Sequence, residues 1–318
     1  MSPYRIMTWI VFAPLVAALA FAAPGADETA DPAPVEYAEG RQIATLANRQ
    51  VTESSGLACG RRTANVFWTH NDSGDGPRLF AFGPQGEHLG TVTVSGAKAH
   101  DWEDMASFQS RGLGFLLLGD VGDNNRRRKT CALYIVPEPP VGTKSRPADA
   151  TVRVAQPILF TYDDGPRDCE SVAIDPTSGT ILLASKADRA KVYALPWPKR
   201  PTREPLVAKA IAALTISAPT AMDISPDGSR AVVLTYGDAY EYVRGPKEKW
   251  SAAFGRKPRK IAMPKRRQGE SICYGPDGKT LYLTSEFAPA PLLEVPPKKA
   301  GDEAAPKPDR PTQPSKKL

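Results

Sequence analysis

The stretch RDCESVAIDPTSGTILLASK, residues 167–186, decides the fold. It opens with two carboxylates, Asp168 and Glu170, and continues through an apolar segment to a turn at residues 176–179. A second apolar segment, residues 180–186, follows the turn. Two short apolar segments around a Gly-containing turn predict a β-hairpin. The acidic start of this hairpin recurs along the chain.

Four other segments align with this hairpin on residue 170. They begin at Ser55, Glu103, Thr220 and Glu270, so that successive units are offset by 48, 67, 50 and 50 residues. A second apolar strand follows each start, and a third and a fourth follow in most units. A period near 50 residues with four strands per unit is typical of a β-propeller. The sequence therefore predicts an all-β fold, a β-propeller of five four-stranded blades, with six blades as the alternative.

The last unit lacks a fourth strand of its own before the composition changes at residue 296. The segment RQIATLAN, residues 41–48, precedes the first unit and is strand-like. We expect this N-terminal strand to pair into the last blade and close the ring. The competing interpretation, a β-sandwich or two small β domains, does not account for five repeats in register.

Composition divides the chain into four parts. Residues 1–22 have the positive start, apolar run and small-residue cleavage site of a signal peptide, with an uncleaved anchor as the alternative. Residues 23–37 are predicted to be a flexible lead-in, residues 38–295 the β-propeller and residues 296–318 a disordered Pro/Lys-rich tail. We therefore expect an exported protein, periplasmic or extracellular, with no stable membrane insertion after cleavage.

The chain of 318 residues has a net charge of +6, much of it in the tail and in basic clusters such as residues 126–129 and 256–260. Basic clusters can bind nucleic acid, but in an exported β protein they are typical of solvated loops and protected sheet edges. We therefore expect no nucleic-acid partner. The expected partner is a small-molecule or anionic ligand, and the expected oligomeric state is a monomer.

Acidic and amide side chains recur where first strands begin and second strands end. In a propeller these two positions lie on the same face of the ring, so we expect the side chains to converge on one mouth of the central channel. Two residues apart on a strand, Asp168 and Glu170 should lie on one side of it. The convergent side chains are Glu53, Asn71, Asp72, Asp101, Glu103, Asp104, Asp120, Asp123, Asn124, Asp168, Glu170, Glu270 and Glu286.

So many carboxylates at close quarters repel one another unless something compensates. A divalent cation would do so, because Ca²⁺ prefers the oxygens of Asp, Glu and Asn. Ion pairs with Lys186 or with one of the arginines at 126–128 are an alternative, and so are protonated carboxyls with raised pKa values that serve acid–base catalysis. A purely structural role remains open, since such residues also fix turns.

The four cysteines of an expected exported protein suggest disulfides. Cys131 and Cys169 are placed on the acidic face in neighbouring blades, which predicts a disulfide between them. Cys59 and Cys273 fall on the first strands of the first and last units. Their offsets in the repeat differ by one residue, which predicts buried free thiols.

Six motifs carry a family resemblance: ESSGLA (53–58), WTHNDSG (68–74), DWEDMA (101–106), GDVGDNNRRR (119–128), DCESVA (168–173) and QGESI (268–272). Together they resemble the signatures of an uncharacterised family of exported bacterial β-propeller proteins, over roughly residues 50–290. More distantly, the arrangement is similar to the SMP-30/gluconolactonase and esterase-like phytase propellers. Those proteins hold a divalent cation at the channel mouth and hydrolyse lactones or phosphate esters.

The distant resemblance implies a set of cation ligands when it is carried over position by position. The cofactor would be Ca²⁺ or another divalent cation. Two aligned starts depart from the acidic pattern, since Ser55 and Thr220 stand where other units have Glu. The implied ligands are Glu53, Asn71, Glu103, Asp120, Glu170 and Glu270.

Three functions follow from the sequence, and whether the protein is an enzyme stays open. The first is ligand binding at the acidic mouth through a divalent cation, without turnover. The second is metal-dependent hydrolysis of phosphate esters or lactones. In that case Glu170 or Glu103 is the base, and Lys186 and Arg128 hold an anionic group. The third is a protein-interaction scaffold that uses the basic loops.

Overall fold

A computed structural model describes residues 32–299 of the chain. The predicted signal peptide, residues 23–31 of the lead-in and residues 300–318 of the tail lie outside this part. The described residues form an all-β structure with one short helix, as the sequence predicts. Among these residues, no helix combines the length and apolar character needed to cross a membrane.

Within residues 32–299 the chain forms 21 strands. The first ten are β1 (Arg41–Thr45), β2 (Ser54–Cys59), β3 (Phe67–Asn71), β4 (Arg78–Phe82), β5 (His88–Ser95), β6 (Trp102–Ser110), β7 (Leu113–Asp120), β8 (Cys131–Pro137), β9 (Ala148–Arg153) and β10 (Gln156–Tyr162). The next seven are β11 (Cys169–Ile174), β12 (Thr180–Ser185), β13 (Lys191–Pro196), β14 (Leu206–Ala213), β15 (Pro219–Ile224), β16 (Arg230–Thr235) and β17 (Ala239–Val243). The helix α1 (Trp250–Phe254) precedes β18 (Arg259–Ile261), β19 (Ser271–Tyr274), β20 (Leu281–Thr284) and β21 (Pro291–Val295).

Hydrogen bonds join these strands into four sheets. One sheet has the order β2-β3-β4-β5-β9, a second has β15-β16-β17-β18, and a third has β19-β20-β21-β1. The fourth sheet has eight strands, because the outer strands β10 and β14 pair in parallel and join β6-β7-β8-β10 to β11-β12-β13-β14. The strands therefore fall into five groups of four: β2–β5, β6–β8 with β10, β11–β14, β15–β18, and β19–β21 with β1. Each aligned repeat of the sequence begins at the first strand of one of these four-strand groups.

The first strands of these groups contact one another in a closed cycle, in the order β2, β6, β11, β15, β19 and back to β2. Every residue of β2, β11, β15 and β19 is buried. The N-terminal strand β1 pairs antiparallel with β21, from Arg41 opposite Glu294 to Thr45 opposite Pro291. The two ends of the folded region thus share one sheet.

Apolar side chains fill the spaces between neighbouring groups of strands. Phe108 on β6, Phe160 on β10 and Ile181 on β12 belong to one buried cluster. Trp68 on β3 and Met105 on β6 belong to another. Burial of apolar surface on both faces of each sheet holds the cycle of strands together.

Two strands differ from the sequence prediction. The second unit contains one strand more than the predicted four, because β9 pairs in parallel with β5 of the preceding unit and β10 pairs with β8. This extra strand accounts for the long offset of 67 residues in the second unit. The short strand β18 lies in the basic cluster at residues 256–260, where lysine and arginine protect a sheet edge from further pairing.

Residues next to the predicted boundaries at 37 and 296 also make contacts. Tyr37 forms a β-bridge with Pro297, and its hydroxyl donates a hydrogen bond of 2.8 Å to the buried carboxylate of Glu241. The Lys298 amide donates to the Glu36 carbonyl. The described end of the lead-in and the start of the tail therefore run side by side.

The predicted Cys131–Cys169 disulfide is wrong, because all four cysteines are free and buried. The two thiols face different carbonyls: Cys131 Sγ lies 3.9 Å from the Val121 oxygen and Cys169 Sγ 3.6 Å from the Ser171 oxygen. Cys59 and Cys273 are free thiols as predicted, with their sulfur atoms 3.7 Å apart. Their offset in the repeat does not separate them.

We predict that the four thiols are unreactive in the folded protein. Burial raises the pKa of Cys131 to about 11 and also raises the pKa of Cys169, and the thiolate is the reactive form. Protein purified without reductant should release almost no thionitrobenzoate from Ellman's reagent until guanidinium is added, and then should titrate four thiols per chain. A count of two after unfolding would contradict the free thiols.

Candidate functional site

A β-bulge interrupts four hairpins at the aligned position of the repeat. The register shifts fall on either side of Ser55, Glu103, Glu170 and Thr220, each of which is left without a direct partner on the second strand. A bulge bends its strand and redirects the extra side chain. In the fifth unit the aligned residue, Glu270, directly precedes β19. In four of the five units, the aligned position of the repeat is therefore one at which a bulge redirects a side chain.

The two hydroxyl side chains at bulges join neighbouring first strands. Ser55 Oγ donates a hydrogen bond of 2.5 Å to the Glu103 carbonyl, and Thr220 Oγ1 donates one of 2.8 Å to the Gly269 carbonyl. Each acceptor belongs to the start of the next unit around the cycle or lies directly before it. The departures from Glu in the first and fourth units thus have a structural function.

Acidic residues near the strand ends of the first, second and fifth units come together. The carboxylate oxygens of Asp72, Asp101 and Glu103 lie within 4.8 Å of one another, and so do those of Asp72, Glu270 and Glu286. Asp72 belongs to both groups. We call these five residues the acidic cluster. Among residues 32–299, no lysine or arginine forms a salt bridge with any of the five.

Burial and mutual repulsion raise the pKa values of four residues of the cluster, Asp72, Asp101, Glu103 and Glu286. Burial raises the pKa of Asp72 to about 6, with a smaller effect from the charge of Asp101. Burial, followed by the neighbouring Glu270 carboxyl, raises the pKa of Glu286 to about 9. The pKa of Glu103 lies well above its ordinary value because the residue is buried and faces the charge of Glu170. Burial also raises the pKa of Asp101, and the charge of Arg128 offsets only part of that shift.

Glu170 and Lys186, both predicted as catalytic residues, form an ion pair beside the cluster. Lys186 Nζ donates to Glu170 Oε1 at 2.5 Å and lies 5.0 Å from the centre of the Tyr236 ring. Burial raises the pKa of Glu170 to about 8, although Lys186 opposes the shift. Burial alone would lower the pKa of Lys186, but the hydrogen bond that Lys186 donates to Glu170 raises it.

Three other predicted residues, Arg128, Asp120 and Asn71, form hydrogen bonds within the protein. Arg128 donates to the Asp120 carboxylate at 2.8 Å and to the carbonyl oxygens of Asp120 and Gly122. Asn71 Oδ1 accepts hydrogen bonds from the Thr52 and Glu53 amides, and its Nδ2 donates to the backbone of Gln50. These contacts fix the loops that surround the cluster.

The structure therefore brings together only part of the predicted ligand set. Glu103 and Glu270 lie in the acidic cluster and Glu170 lies next to it, whereas Asn71 and Asp120 hold loops and Glu53 is exposed. The ligand prediction omitted Asp72, Asp101 and Glu286, although all three lie at strand ends of the expected mouth. The signal that would have included them is their position, since Asp101 lies two residues before an aligned start and Asp72 and Glu286 follow second strands.

A glycine allows a loop to approach the cluster closely. A Cβ atom on Gly122 would lie 2.1 Å from Glu103 Oε1 and 2.5 Å from Asp101 Oδ2. Side chains larger than hydrogen would therefore displace both carboxylates. The Gly122 backbone is held by Arg128, so the loop after β7 forms one wall of the site.

Asp104, next to the bulge at Glu103, is completely buried and binds three strands. Its Oδ2 accepts hydrogen bonds from the Val172 amide at 2.8 Å and the Met222 amide at 3.1 Å, and its Oδ1 accepts one from Met105 at 2.8 Å. These amides belong to β11, β15 and β6. Asp104 thus joins three first strands of the cycle and is not available to a ligand.

No protein-family profile matches this chain, and no curated protein matches it in sequence. Among solved structures, a gluconolactonase from Xanthomonas campestris is similar with a TM-score of 0.45 and 13% sequence identity. The similarity covers 87% of this chain and 99% of the gluconolactonase chain. That enzyme is described as important in glucose secondary metabolic pathways. At this level of similarity, any activity of this chain has to be argued from its own residues.

Proposed function

We propose that this chain is an exported five-bladed β-propeller that holds a divalent cation at the acidic cluster and binds a ligand there. In this proposal each four-strand group is a blade, and β1 closes the ring by completing the last blade. The observation that supports the proposal is the position of Asp72. Its carboxylate oxygens lie within 4.8 Å of the carboxylate oxygens of two separate pairs of acidic side chains.

The donor chemistry of the cluster fits a hard cation. Ca²⁺ binds carboxylate oxygens at about 2.4 Å, so two ligands of one ion lie at most about 4.8 Å apart. The oxygens of the cluster satisfy that limit in both groups of three. The cluster contains no histidine or cysteine, which argues for Ca²⁺ over a softer metal. A bound cation would also supply the positive charge that the raised pKa values call for.

Calcium-dependent thermal stability tests this function. Ca²⁺ at about 100 times its dissociation constant should add about 2.7 kcal/mol to the free energy of unfolding and raise the melting temperature. Asp72→Asn should abolish most of that increase, because Asp72 serves both groups. Asp149→Asn, at an exposed residue of β9, is the matched control and should respond like the wild type. No increase in the wild type, or an equal increase in Asp72→Asn, would refute the cation site.

Hydrolysis of a phosphate ester or lactone is a second candidate, favoured by the Glu170–Lys186 pair. A carboxyl with a pKa of about 8 is suited to proton transfer near neutral pH. When bound, a divalent cation would polarise the carbonyl or phosphoryl oxygen of the substrate. Glu170 would accept a proton from the attacking water, and Lys186 would orient the Glu170 carboxylate.

Turnover separates the two candidates. Purified protein with Ca²⁺ should hydrolyse p-nitrophenyl phosphate or a simple lactone if the second candidate holds. Glu170→Gln should then reduce the rate by at least about a hundredfold and leave the calcium-dependent melting shift in place. Activity that survives this substitution would exclude Glu170 as the base, and no activity on either substrate would leave ligand binding as the proposed function.

A further inference from the structure

A small basic cavity lies beside the acidic cluster, where β12 ends and β13 begins. Its volume is about 150 Å³. Five of the lining side chains are cationic and one, Asp168, is acidic. The cationic residues are Arg126, Arg167, Lys186, Arg189 and Lys191. Lys186 is shared between the cavity and the ion pair with Glu170, so the cavity adjoins the site of the proposed function.

The carboxylates around the cavity neutralise only part of this charge. Arg167 and Lys191 both bind Asp164, each at 2.8 Å. Lys186 binds Glu170. The remaining two guanidinium groups, those of Arg126 and Arg189, are exposed and form no salt bridge within residues 32–299. The cavity therefore has an excess of positive charge.

The backbone of Arg126 is held in a conformation that arginine disfavours. Its φ angle is +52°, in the left-handed region that suits glycine or asparagine. The turn is fixed from Asp123, whose carbonyl accepts the Arg126 amide and whose carboxylate accepts the amides of Arg127 and Arg128. Strained residues at the wall of a site are a reason to look for a function of the side chain.

We propose that this basic cavity binds a phosphate group of the ligand, with the rest of the ligand directed toward the acidic cluster. The assignment to one ligand rests on the proposed function, whereas the anion site itself does not. The cavity is large enough for one phosphate group. Arginine guanidinium groups donate paired hydrogen bonds that match phosphate oxygens, and Arg126 and Arg189 have that capacity available.

The test measures binding of inorganic phosphate by calorimetry in EDTA, with acetate in a parallel titration. The wild type should bind phosphate saturably and more tightly than acetate. Arg126→Gly should weaken phosphate binding at least about tenfold, while its melting temperature stays the same or rises because strain is relieved. Arg189→Gln should weaken binding by a similar factor.

Arg111→Gly is the matched control. Arg111 is exposed, has a φ angle of +51° and lies in the β6–β7 turn outside the cavity, so its substitution also removes one charge and one strained residue. Phosphate affinity should be unchanged in this variant. Equal weakening of phosphate binding in Arg111→Gly and Arg126→Gly would show that the effect comes from the overall charge of the protein, and it would overturn the proposal. Tighter binding of acetate than of phosphate would overturn the phosphate assignment.

Separate calcium titrations distinguish failure of this inference from failure of the proposed function. Calcium binding without saturable phosphate binding would remove the anion site and leave the cation site standing. Phosphate binding that Arg126→Gly weakens, in a protein that binds no calcium, would support the anion site and refute the proposed function.

Discussion

Asp104→Ala is expected to cost at least about 3 kcal/mol of the free energy of unfolding, the largest loss that we predict for a single side chain. The substitution leaves the amides of Met105, Val172 and Met222 buried without their acceptor. Each such group costs about 1–3 kcal/mol, against a typical total stability of 5–15 kcal/mol. Guanidinium unfolding followed by circular dichroism measures the loss.

Asp104→Asn is the matched control for this substitution. The amide oxygen of Asn can still accept from Val172 and Met222, which share one oxygen of Asp104. The loss should therefore be smaller than for Asp104→Ala. An unfolding midpoint of Asp104→Ala equal to that of the wild type would contradict the function assigned to Asp104 in joining three first strands.

Without divalent cations, the melting temperature is expected to fall as the pH rises from 5 to 9. The pKa values of Asp72, Glu170 and Glu286 are raised to about 6, 8 and 9. Between the ordinary carboxyl pKa of about 4 and these raised values, the folded protein holds more protons than the unfolded chain. Stability is therefore lost as the pH rises through this window, by linkage.

Calcium should reduce this fall, because the cation replaces protons as the compensating charge. Glu286→Gln should flatten the upper part of the profile, between about pH 8 and 9, whereas the exposed control Asp149→Asn should leave it unchanged. Differential scanning fluorimetry over the pH range, with EDTA or with Ca²⁺, measures both effects. A melting temperature that rises over this range in EDTA would contradict the raised pKa values.

The aligned position of the repeat explains why much of the fold follows from the sequence. Residues such as Glu103 and Glu170 recur because each occupies a bulge at the same point of a hairpin. Local patterning then places the second strands, and the strand-like segment at residues 41–48 contains β1, which pairs with β21. These features depend on periodicity, which a sequence displays directly.

Other features depend on long-range contacts that a sequence does not display. Strand β9 joins the sheet of the preceding unit, and β18 is a charged edge strand without an apolar pattern. Alternation along a strand predicts Asp168 and Glu170 on one side, and it gives no sign of the bulge between Cys169 and Ser171. Asp168 accepts the Asp123 amide, while Glu170 binds Lys186.

The ligand prediction shows the same limit at the level of single residues. Asn71 and Asp72 are adjacent in sequence, and each has a side-chain oxygen that can bind a cation. The side-chain oxygen of Asn71 accepts hydrogen bonds from the backbone amides of Thr52 and Glu53, whereas Asp72 faces the carboxylates of two neighbouring units. The difference lies in the partners that the fold supplies, so composition and spacing could define the mouth but could not select its ligands.

The most direct test of the cation site is a calorimetric titration of folded protein with CaCl₂ at pH 7, in two buffers of different ionisation enthalpy. The raised pKa values of Glu103 and Glu286, both in the acidic cluster, imply protons at the site that a cation must displace. We predict saturable binding whose heat differs between the two buffers, which reports proton release. Absence of a binding heat in both buffers would contradict the account.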